Sequence, residues 1–373
     1  MAGAQRIGIL TSGGDCQALN ATMRGIVKTV MLGSDEPVEI YGFHDGYRGL
    51  IDSNFTMLGW SDFSGILTRG GTILGTSRVP FKTIDEVDEN GVSKVEKMIH
   101  TYHKLKLDCL CVLGGNGSTK TANRLSEEGL NVIALPKTID NDTWGTDLTF
   151  GFHSALEIAT KFIDDIHTTA SSHGRVFVIE IMGHKVGWIP LYAGVAGGAD
   201  VILIPEIPYD IENVCEVVEQ RTKGGANFAI IAVAEGAISK DEAALSKKEY
   251  KSLVESRTSP SVAYDIASEV AARTGREVRV GIPGHTQRGG QPCPYDRVFA
   301  TQVGAEAGQA ILAREYGFMV ADIGRKIVRV PLAEVAGKLK SVDPECQLIA
   351  HARSVGISFG DKPGVSFVEK NTR

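Results

Sequence analysis

The sequence contains no run of basic residues, no apolar window approaching 18 residues and no CxxC pair among its six cysteines. With a net charge of −6 we expect no nucleic-acid partner, so an anionic ligand would have to be met by individually placed cations. The first residues, MAGAQRIGILTSGGD, have no apolar core of signal-peptide length, and we expect neither secretion nor a membrane span. Scattered cysteines fit reduced thiols. We therefore expect a cytoplasmic protein.

The composition is that of an ordinary globular chain, with 43% apolar and 23% charged residues. At 373 residues the chain is too long for one small core, and we expect two domains. Short apolar runs that end in glycine or small polar residues recur along it. Such runs are typical of strands in a largely parallel sheet that is covered on both faces. The seven runs are 7–15, 109–118, 131–142, 176–184, 201–206, 228–237 and 278–290.

Amphipathic stretches of helical period lie between these runs, most clearly at 16–31 and 153–169. Strands that alternate with helices predict an α/β fold. In such folds ligands bind outside the carboxyl ends of the strands, which is where this sequence places its unusual residues.

Two of the predicted strands end in glycine-rich turns. In TSGGD, Gly13 and Gly14 would let backbone amides approach a phosphate at a helix N-terminus, although a tight turn without a ligand is the alternative. The stretch GGNGSTKTANRL (114–125) is a second glycine-rich turn between a strand and a helix, with Ser118 or Thr119 as the expected helix cap. Neither turn has the GxGxxG or GxxxxGK[ST] spacing. Two such turns suggest an extended ligand with more than one phosphate.

A third strand end carries the stretch PKTIDND (136–142). Two carboxylates as close as Asp140 and Asp142 resist ionising together unless a cation, a metal or a hydrogen-bond network holds them. Lys137 is one candidate partner.

Several cations also lie beside glycine turns, namely Arg78, Arg175, Arg279, His285 and Arg288. Any one arginine could form a surface ion pair, but several at strand ends suggest clamps for phosphoryl oxygens. Glu235 ends an apolar run, and we expect it to accept hydrogen bonds from a polyol or an arginine. His184, in another strand-end turn, could equally be a structural histidine.

Taken in order, TSGGD, GGTxLGTSR, GGNGS, PKTIDND, SSHGR, MGHKVGW, AGGADVILIPE, AEG and PGHTQRGG closely resemble the motifs of 6-phosphofructokinases. The resemblance runs from about residue 6 to about 310. It implies two Rossmann-like, three-layer α/β domains with mainly parallel sheets. The implied donor domain is 1–151 with about 292–338, and the implied sugar-phosphate domain is 152–291 with about 339–373.

The resemblance also implies a reaction. In glycolysis, such enzymes transfer the γ-phosphoryl group of ATP to the 1-hydroxyl of fructose 6-phosphate, giving fructose 1,6-bisphosphate and ADP, with Mg²⁺. Asp140 then corresponds to the general base, and Thr138 orients the transferred group or the sugar hydroxyl. Arg78 and Arg175 would neutralise charge in the transition state. Asn116 and Asp142 would hold the metal.

Further positions match the family's binding sites. The phosphoryl-donor site corresponds to Gly14, Arg78, Val79, Gly115, Asn116, Gly117 and Ser118. The sugar-phosphate site corresponds to Thr138, Asp140, Arg175, Met182, Gly183, His184, Glu235, Arg279, His285 and Arg288. In the family two of these, Arg175 and Arg279, come from a neighbouring subunit, so the resemblance implies a homo-oligomer, usually a tetramer.

Three positions depart from the common pattern. Asn116 stands where many members have a metal-binding aspartate, and a neutral amide holds a dication less strongly. His184 stands where arginine is common. In the effector site Arg24 and Lys28 match, but His167 replaces an arginine and KGGANFAI (223–230) lacks the usual lysines.

Two positions bear on the choice of donor. In the family, aspartate at the position of Gly117 with lysine at that of Lys137 goes with pyrophosphate, whereas glycine at both goes with ATP. This chain has the glycine and the lysine, and we give more weight to Gly117. The alternatives are a pyrophosphate-dependent enzyme and a non-catalytic sugar-phosphate-binding regulatory subunit.

Overall fold

The structure is a computed structural model that describes residues 4–223 and 226–363. It contains two compact units. The first consists of the described part of Met1–Ala155 together with Arg288–Lys340, and the second of Leu156–Gln287 with the described part of Ser341–Arg373. The predicted domain ranges extend into 1–3 and 364–373, which lie outside the described residues. The assignment of a role to each domain stays a prediction.

The first unit is built on a seven-stranded sheet. The strands are β1 (Gln5–Ser12), β2 (Val38–Phe43), β3 (Phe55–Leu58), β4 (Cys109–Gly114), β5 (Val132–Pro136), β10 (Phe318–Ile323) and β11 (Lys326–Pro331). Their order in the sheet is β11-β10-β5-β4-β1-β2-β3. The central strands are parallel, and the edge strands β3 and β11 run antiparallel to their neighbours.

Helices cover both faces of this sheet. They are α1 (Leu19–Gly33), α2 (Tyr47–Asp52), α3 (Lys94–Lys104), α4 (Asn116–Glu127), α11 (Pro294–Leu312) and α12 (Leu332–Val335), with 3-10 turns at Trp60–Phe63 and Phe81–Thr83. On one face α1 packs closely on α11, where a Cβ built on Gly304 would lie 2.4 Å from the Thr22 carbonyl oxygen. On the other face Tyr47, Met98 and Leu125 belong to one buried cluster.

The second unit has a four-stranded parallel sheet of order β7-β8-β6-β9. Its strands are β6 (Val176–Ile181), β7 (Val201–Leu203), β8 (Ala229–Ala234) and β9 (Val278–Gly281). The chain enters the unit within α5 (Phe152–His173). The remaining helices are α6 (Trp188–Ala196), α7 (Ile211–Lys223), α8 (Lys240–Ala243), α9 (Lys247–Ser256), α10 (Val262–Thr274) and α13 (Gln347–Ser354), and Gly284–Arg288 is a 3-10 turn.

The predicted α/β class with mainly parallel sheets is confirmed. Each of the seven predicted runs overlaps a strand, and the stretches 16–31 and 153–169 correspond to α1 and α5. Four strands were missed, namely β2, β3, β10 and β11. Within the described residues, no helix is both long and apolar enough to cross a membrane.

Candidate active site

The first unit brings three of the predicted motifs to the same edge of its sheet. Ser12 pairs with Gly114, and Gly114 pairs with Pro136, so β1, β4 and β5 end at the same level. The turns that follow these strands are TSGGD, GGNGS and PKTIDND. Parallel register therefore makes neighbours of residues that lie more than a hundred positions apart in sequence.

The turn after β1 is fixed by a neighbouring loop. Gly13 has a φ of +88°, a left-handed conformation that favours glycine. Its amide donates to the Ser77 carbonyl over 3.0 Å, and its carbonyl accepts from the Thr76 hydroxyl over 2.7 Å. The same loop continues to Arg78, whose side chain is exposed, and to Val79, which packs on the core. Gly14 and Arg78 thus lie on linked segments.

The turn after β4 opens helix α4 earlier than the sequence suggested. Gly115 is the N-cap and α4 begins at Asn116, so the prediction that Ser118 or Thr119 caps the helix is wrong. Instead the Thr119 amide donates to the Gly115 carbonyl over 2.9 Å. A cap without a side chain leaves the first amides of the helix open to an anion, whose charge the helix dipole favours. Gly117 is exposed on this first turn.

The acidic loop after β5 is buried and braced from within. Thr138, Asp140 and Asp142 are each no more than 8% exposed. The Asp140 amide donates to the Thr138 hydroxyl over 3.0 Å. Asn141 adopts a left-handed φ of 55°, and its side-chain oxygen accepts from the Thr149 amide over 3.0 Å. The two carboxylates therefore lie on a loop with little conformational freedom.

The two predicted metal-binding residues are in contact. The Asn116 amide nitrogen donates to the Asp142 carboxylate over 2.8 Å and to its carbonyl over 3.1 Å. No cluster of three or more His, Cys, Asp or Glu residues suited to a metal occurs in the part of the chain described. Mg²⁺ commonly binds through one or two carboxylates together with substrate phosphates, so one carboxylate and one amide oxygen fit that mode.

Lys137 lies under the first glycine turn. Its side chain is 3% exposed, and its ammonium donates to the Gly14 carbonyl oxygen. Burial lowers the pKa of Lys137 to about 8, a change that the Arg288 charge reinforces and that Cys16 and Asp140 oppose. The ammonium thus bonds the main chain of the glycine turn, and Asp140 acts on it through its negative charge.

Sequence reasoning missed Lys340. Its ammonium donates to the carbonyl oxygens of Thr146 over 2.9 Å and Asp147 over 2.8 Å, and its amide donates to the Asp142 carbonyl over 2.9 Å. Burial lowers the pKa of Lys340 to about 8, against the fields of Asp147 and Asp142. It supports the acidic loop from a segment nearly two hundred residues away, and no motif around it indicated this contact.

The second unit brings together two of the predicted arginines. In the register of β6 with β9, Arg279 lies opposite Phe177 near the start of β6, and Arg175 directly precedes β6. Arg175 forms an ion pair with Glu277 over 3.0 Å, and Arg279, which is exposed, also pairs with Glu277. The Arg175 hydrogen bond and the two positive charges hold the pKa of Glu277 below its usual range. His285 lies exposed on the 3-10 turn that follows β9.

Glu235 and the MGH turn also meet, because β6 and β8 end together at Ile181 and Ala234. The Glu235 carboxylate accepts from the amides of Gly183 over 3.2 Å and His184 over 2.6 Å. His184 has a left-handed φ of 54° and an exposed side chain, and Met182 is half-buried. Glu235 is itself exposed, and in the described structure it accepts from backbone amides and not from an arginine, one of the two expected partners. The other, a polyol, stays a prediction.

The predicted residues therefore form one set in each unit. The first unit holds Gly14, Arg78, Val79, Gly115, Asn116, Gly117, Ser118, Thr138, Asp140, Asp142 and Arg288, and the second holds Arg175, Met182, Gly183, His184, Glu235, Arg279 and His285. Arg288 lies against the first glycine turn, where its guanidinium donates to the Asp15 carbonyl over 3.0 Å.

This fold and these motifs belong to a known class. A family model described as phosphofructokinase matches residues 6–311. The chain belongs to the phosphofructokinase family, which confirms the resemblance noted in its sequence.

Individual relatives extend the comparison. An "ATP-dependent 6-phosphofructokinase" of Spirochaeta thermophila is 53% identical over 95% of this chain and 97% of its own length. A "pyrophosphate–fructose 6-phosphate 1-phosphotransferase" of Amycolatopsis methanolica is 44% identical over 91% of this chain and 97% of its own length. The T-state crystal structure of Pichia pastoris phosphofructokinase matches with a TM-score of 0.76 and 32% identity over 90% of this chain. This chain spans only 36% of the Pichia chain.

Proposed function

We propose that the protein transfers the γ-phosphoryl group of ATP to the 1-hydroxyl of fructose 6-phosphate, giving fructose 1,6-bisphosphate and ADP. The observation that carries this proposal is the common level at which β1, β4 and β5 end. It sets two glycine turns, suited to phosphates, beside a buried loop that carries Asp140. The name of the Spirochaeta relative supports the same reaction. We place this reaction in glycolysis and in the cytoplasm.

Asp140 is the proposed general base, because a carboxylate within reach of the sugar hydroxyl can accept its proton as the phosphoryl group arrives. Thr138, whose hydroxyl accepts from the Asp140 amide, would help to orient the reacting groups. Phosphoryl transfer is governed by positioning and electrostatics. Arg78 and Arg175 are the proposed charge-neutralising groups, and both carry fixed positive charge.

Asn116 and Asp142 would hold Mg²⁺ together with the donor's phosphates. The ion would supply positive charge to the phosphoryl oxygens as charge develops on them. Asn116 already donates its amide nitrogen to Asp142, so its amide oxygen is the atom left to face a cation. With one carboxylate in place of two, we expect a weaker hold on the metal than in members with aspartate at position 116.

The sugar phosphate is the proposed ligand of Met182, Gly183, His184, Glu235, Arg279, His285 and Arg288. Glu235 fixes the MGH turn through two backbone amides, and its remaining oxygen suits a sugar hydroxyl. Arg279 is exposed and pairs with Glu277 in the described chain. A phosphate dianion would compete for that guanidinium, which matches phosphate geometry well. We propose a homotetramer in which Arg175 and Arg279 serve a neighbouring subunit's site.

ATP is the proposed donor because of the space around Gly117. A Cβ built on this residue would meet no heavy atom within 4 Å among the described residues, which leaves room for the nucleotide's α-phosphate. Lys137 is the residue that favours pyrophosphate, but its ammonium donates a hydrogen bond to the Gly14 carbonyl. The Amycolatopsis relative favours the pyrophosphate alternative. Asp140, Arg175 and Arg279 argue against a non-catalytic regulatory subunit, which would not need a base.

The test is product formation from fructose 6-phosphate by the unaltered protein with Mg²⁺ and either ATP or pyrophosphate. We expect turnover with ATP to exceed turnover with pyrophosphate by a wide margin. Faster reaction with pyrophosphate would overturn the donor assignment and leave the reaction itself standing. No product with either donor would overturn the catalytic proposal in favour of the regulatory one.

A further inference from the structure

The turn after β1 is held by two cations that contact successive peptide groups. The Lys137 ammonium donates to the carbonyl oxygen of Gly14, and the Arg288 guanidinium donates to that of Asp15 over 3.0 Å. Lys137 is 3% exposed, and a Cβ built on Gly14 would lie 2.8 Å from the Arg288 Nη1. Both cations therefore lie tightly against the main chain of the turn.

These contacts set the direction of the neighbouring amides. In a trans peptide the C=O and N–H point in opposite directions. Because the Gly14 carbonyl points at Lys137, the Asp15 amide points away from it, and by the same argument the Cys16 amide points away from Arg288. Glycine at 14 would otherwise allow the peptide that it shares with Asp15 to rotate readily.

Lys137 also contacts the second glycine turn. Its amide donates to the Gly114 carbonyl over 3.1 Å, and its own carbonyl would lie 3.3 Å from a Cβ built on Gly115. It directly precedes Thr138 in the acidic loop. One buried residue thus joins both glycine turns to the segment that carries the proposed base.

We propose that Lys137 is a positioning residue for the phosphoryl donor, which holds the Gly14–Asp15 peptide so that the Asp15 amide faces the donor's phosphates. The lysine acts through the turn and not on the reacting atoms. The proposal rests on the proposed function and deepens it, because it assigns part of the donor affinity to a residue outside the phosphate-contacting set.

The test compares Lys137→Met with Lys137→Arg and with Lys104→Met, an exposed control at the end of α3. For each protein we would measure kcat, the KM for ATP and the KM for fructose 6-phosphate. Titration calorimetry without sugar would give the Kd for ADP. For Lys137→Met we expect the KM for ATP and the Kd for ADP to rise about tenfold, or about 1.4 kcal/mol. The KM for the sugar should change less than twofold, and Lys137→Arg should recover part of the loss.

Donor parameters equal to those of Lys104→Met, in an enzyme that turns over normally, would overturn the positioning role. So would a fall in kcat with unchanged donor affinity, which would place the lysine at the reacting groups. Inactivity of the unaltered protein would instead overturn the proposed function, and the ADP titration would still test this inference.

The unaltered protein provides a second test that needs no variant. Burial lowers the pKa of Lys137 to about 8, with Arg288 acting in the same direction and Cys16, Asp140 and Asp15 acting against it. The ammonium therefore loses its charge as the pH rises through about 8, and a neutral amine is a weaker donor to Gly14. The Kd for ADP should rise severalfold between pH 7 and pH 9.5. A constant Kd across that range would refute the role.

Discussion

Replacing Gly117 by aspartate should suppress the use of ATP while leaving the fold intact. The side chain has space, because in the described structure nothing lies within 4 Å of a Cβ at this position. Gly117 is the second residue of α4, where an acidic side chain favours the helix dipole by about 0.3–1 kcal/mol. Glycine is also a poor helix former, so the unfolding temperature should stay constant or rise.

The loss arises from charge. Two unit charges about 5 Å apart repel by about 3 kcal/mol at an effective dielectric constant of about 20. A carboxylate at that distance from the α-phosphate should therefore lower kcat/KM for ATP by about 100-fold. Gly117→Asn is the matched control, because it has nearly the same shape without the charge, and it should lose far less.

The assay is the formation of fructose 1,6-bisphosphate with ATP varied at saturating sugar, alongside thermal unfolding of each variant. An equal loss in Gly117→Asp and Gly117→Asn would show that crowding, not charge, decides the donor. Undiminished kcat/KM for ATP in Gly117→Asp would show that the α-phosphate does not lie beside α4.

Three further predictions follow from the site. Asp140→Asn keeps the shape of the side chain but removes the proton acceptor, so kcat should fall about 10²–10⁴-fold with little change in sugar binding, and near-normal turnover would reject the assigned base. Arg279→Ala should chiefly raise the KM for fructose 6-phosphate. If Arg279 serves a neighbouring subunit's site, mixing this variant with Asp140→Asn should restore some activity in hybrid sites. No recovery, with subunit exchange demonstrated, would show that each site belongs to a single chain. Effector responses should be weak, since His167, which contacts the Gly197 carbonyl over 2.6 Å, and the KGGANFAI segment provide too few fixed cations for a bound di- or triphosphate. A large shift in sugar affinity with ADP or phosphoenolpyruvate would contradict this. In the KGGANFAI segment, on which that prediction also depends, Gly224 and Gly225 lie outside the described residues.

The strands that the sequence predicted have only parallel neighbours, whereas each of the four missed strands has an antiparallel neighbour. Strand β4 is buried at every position and reads as one apolar run, because helices cover both faces. Strand β11 is an antiparallel edge whose residues are largely half-exposed, and β3 is only four residues long. Such short or half-exposed strands lack the continuous apolar run of a strand that is covered on both faces, so their pattern in the sequence is weaker.

Site prediction succeeded for residue types at strand ends and failed for contacts over long distances. Register explains the first, because parallel strands that end together bring their turns together. Nothing in PKTIDND indicates that the ammonium of Lys137 reaches a carbonyl 123 residues earlier in the chain. Lys340 contacts Asp142 of the acidic loop through its amide, and its ammonium reaches Thr146 across 194 residues. Such contacts depend on packing of whole elements, which local patterns do not encode.

The three glycines of GGNGS illustrate why a motif alone does not separate folding from binding. A Cβ on Gly114 would lie 2.3 Å from the Ser118 Cβ, so this glycine lets α4 start tightly against β4. A Cβ on Gly115 would lie 3.3 Å from the Lys137 carbonyl, a contact that the acidic loop would have to relieve. Only at Gly117 would a side chain enter open space, as far as the described residues go. The fold itself therefore does not require glycine there, and under the proposed function the space would be needed for the donor phosphates.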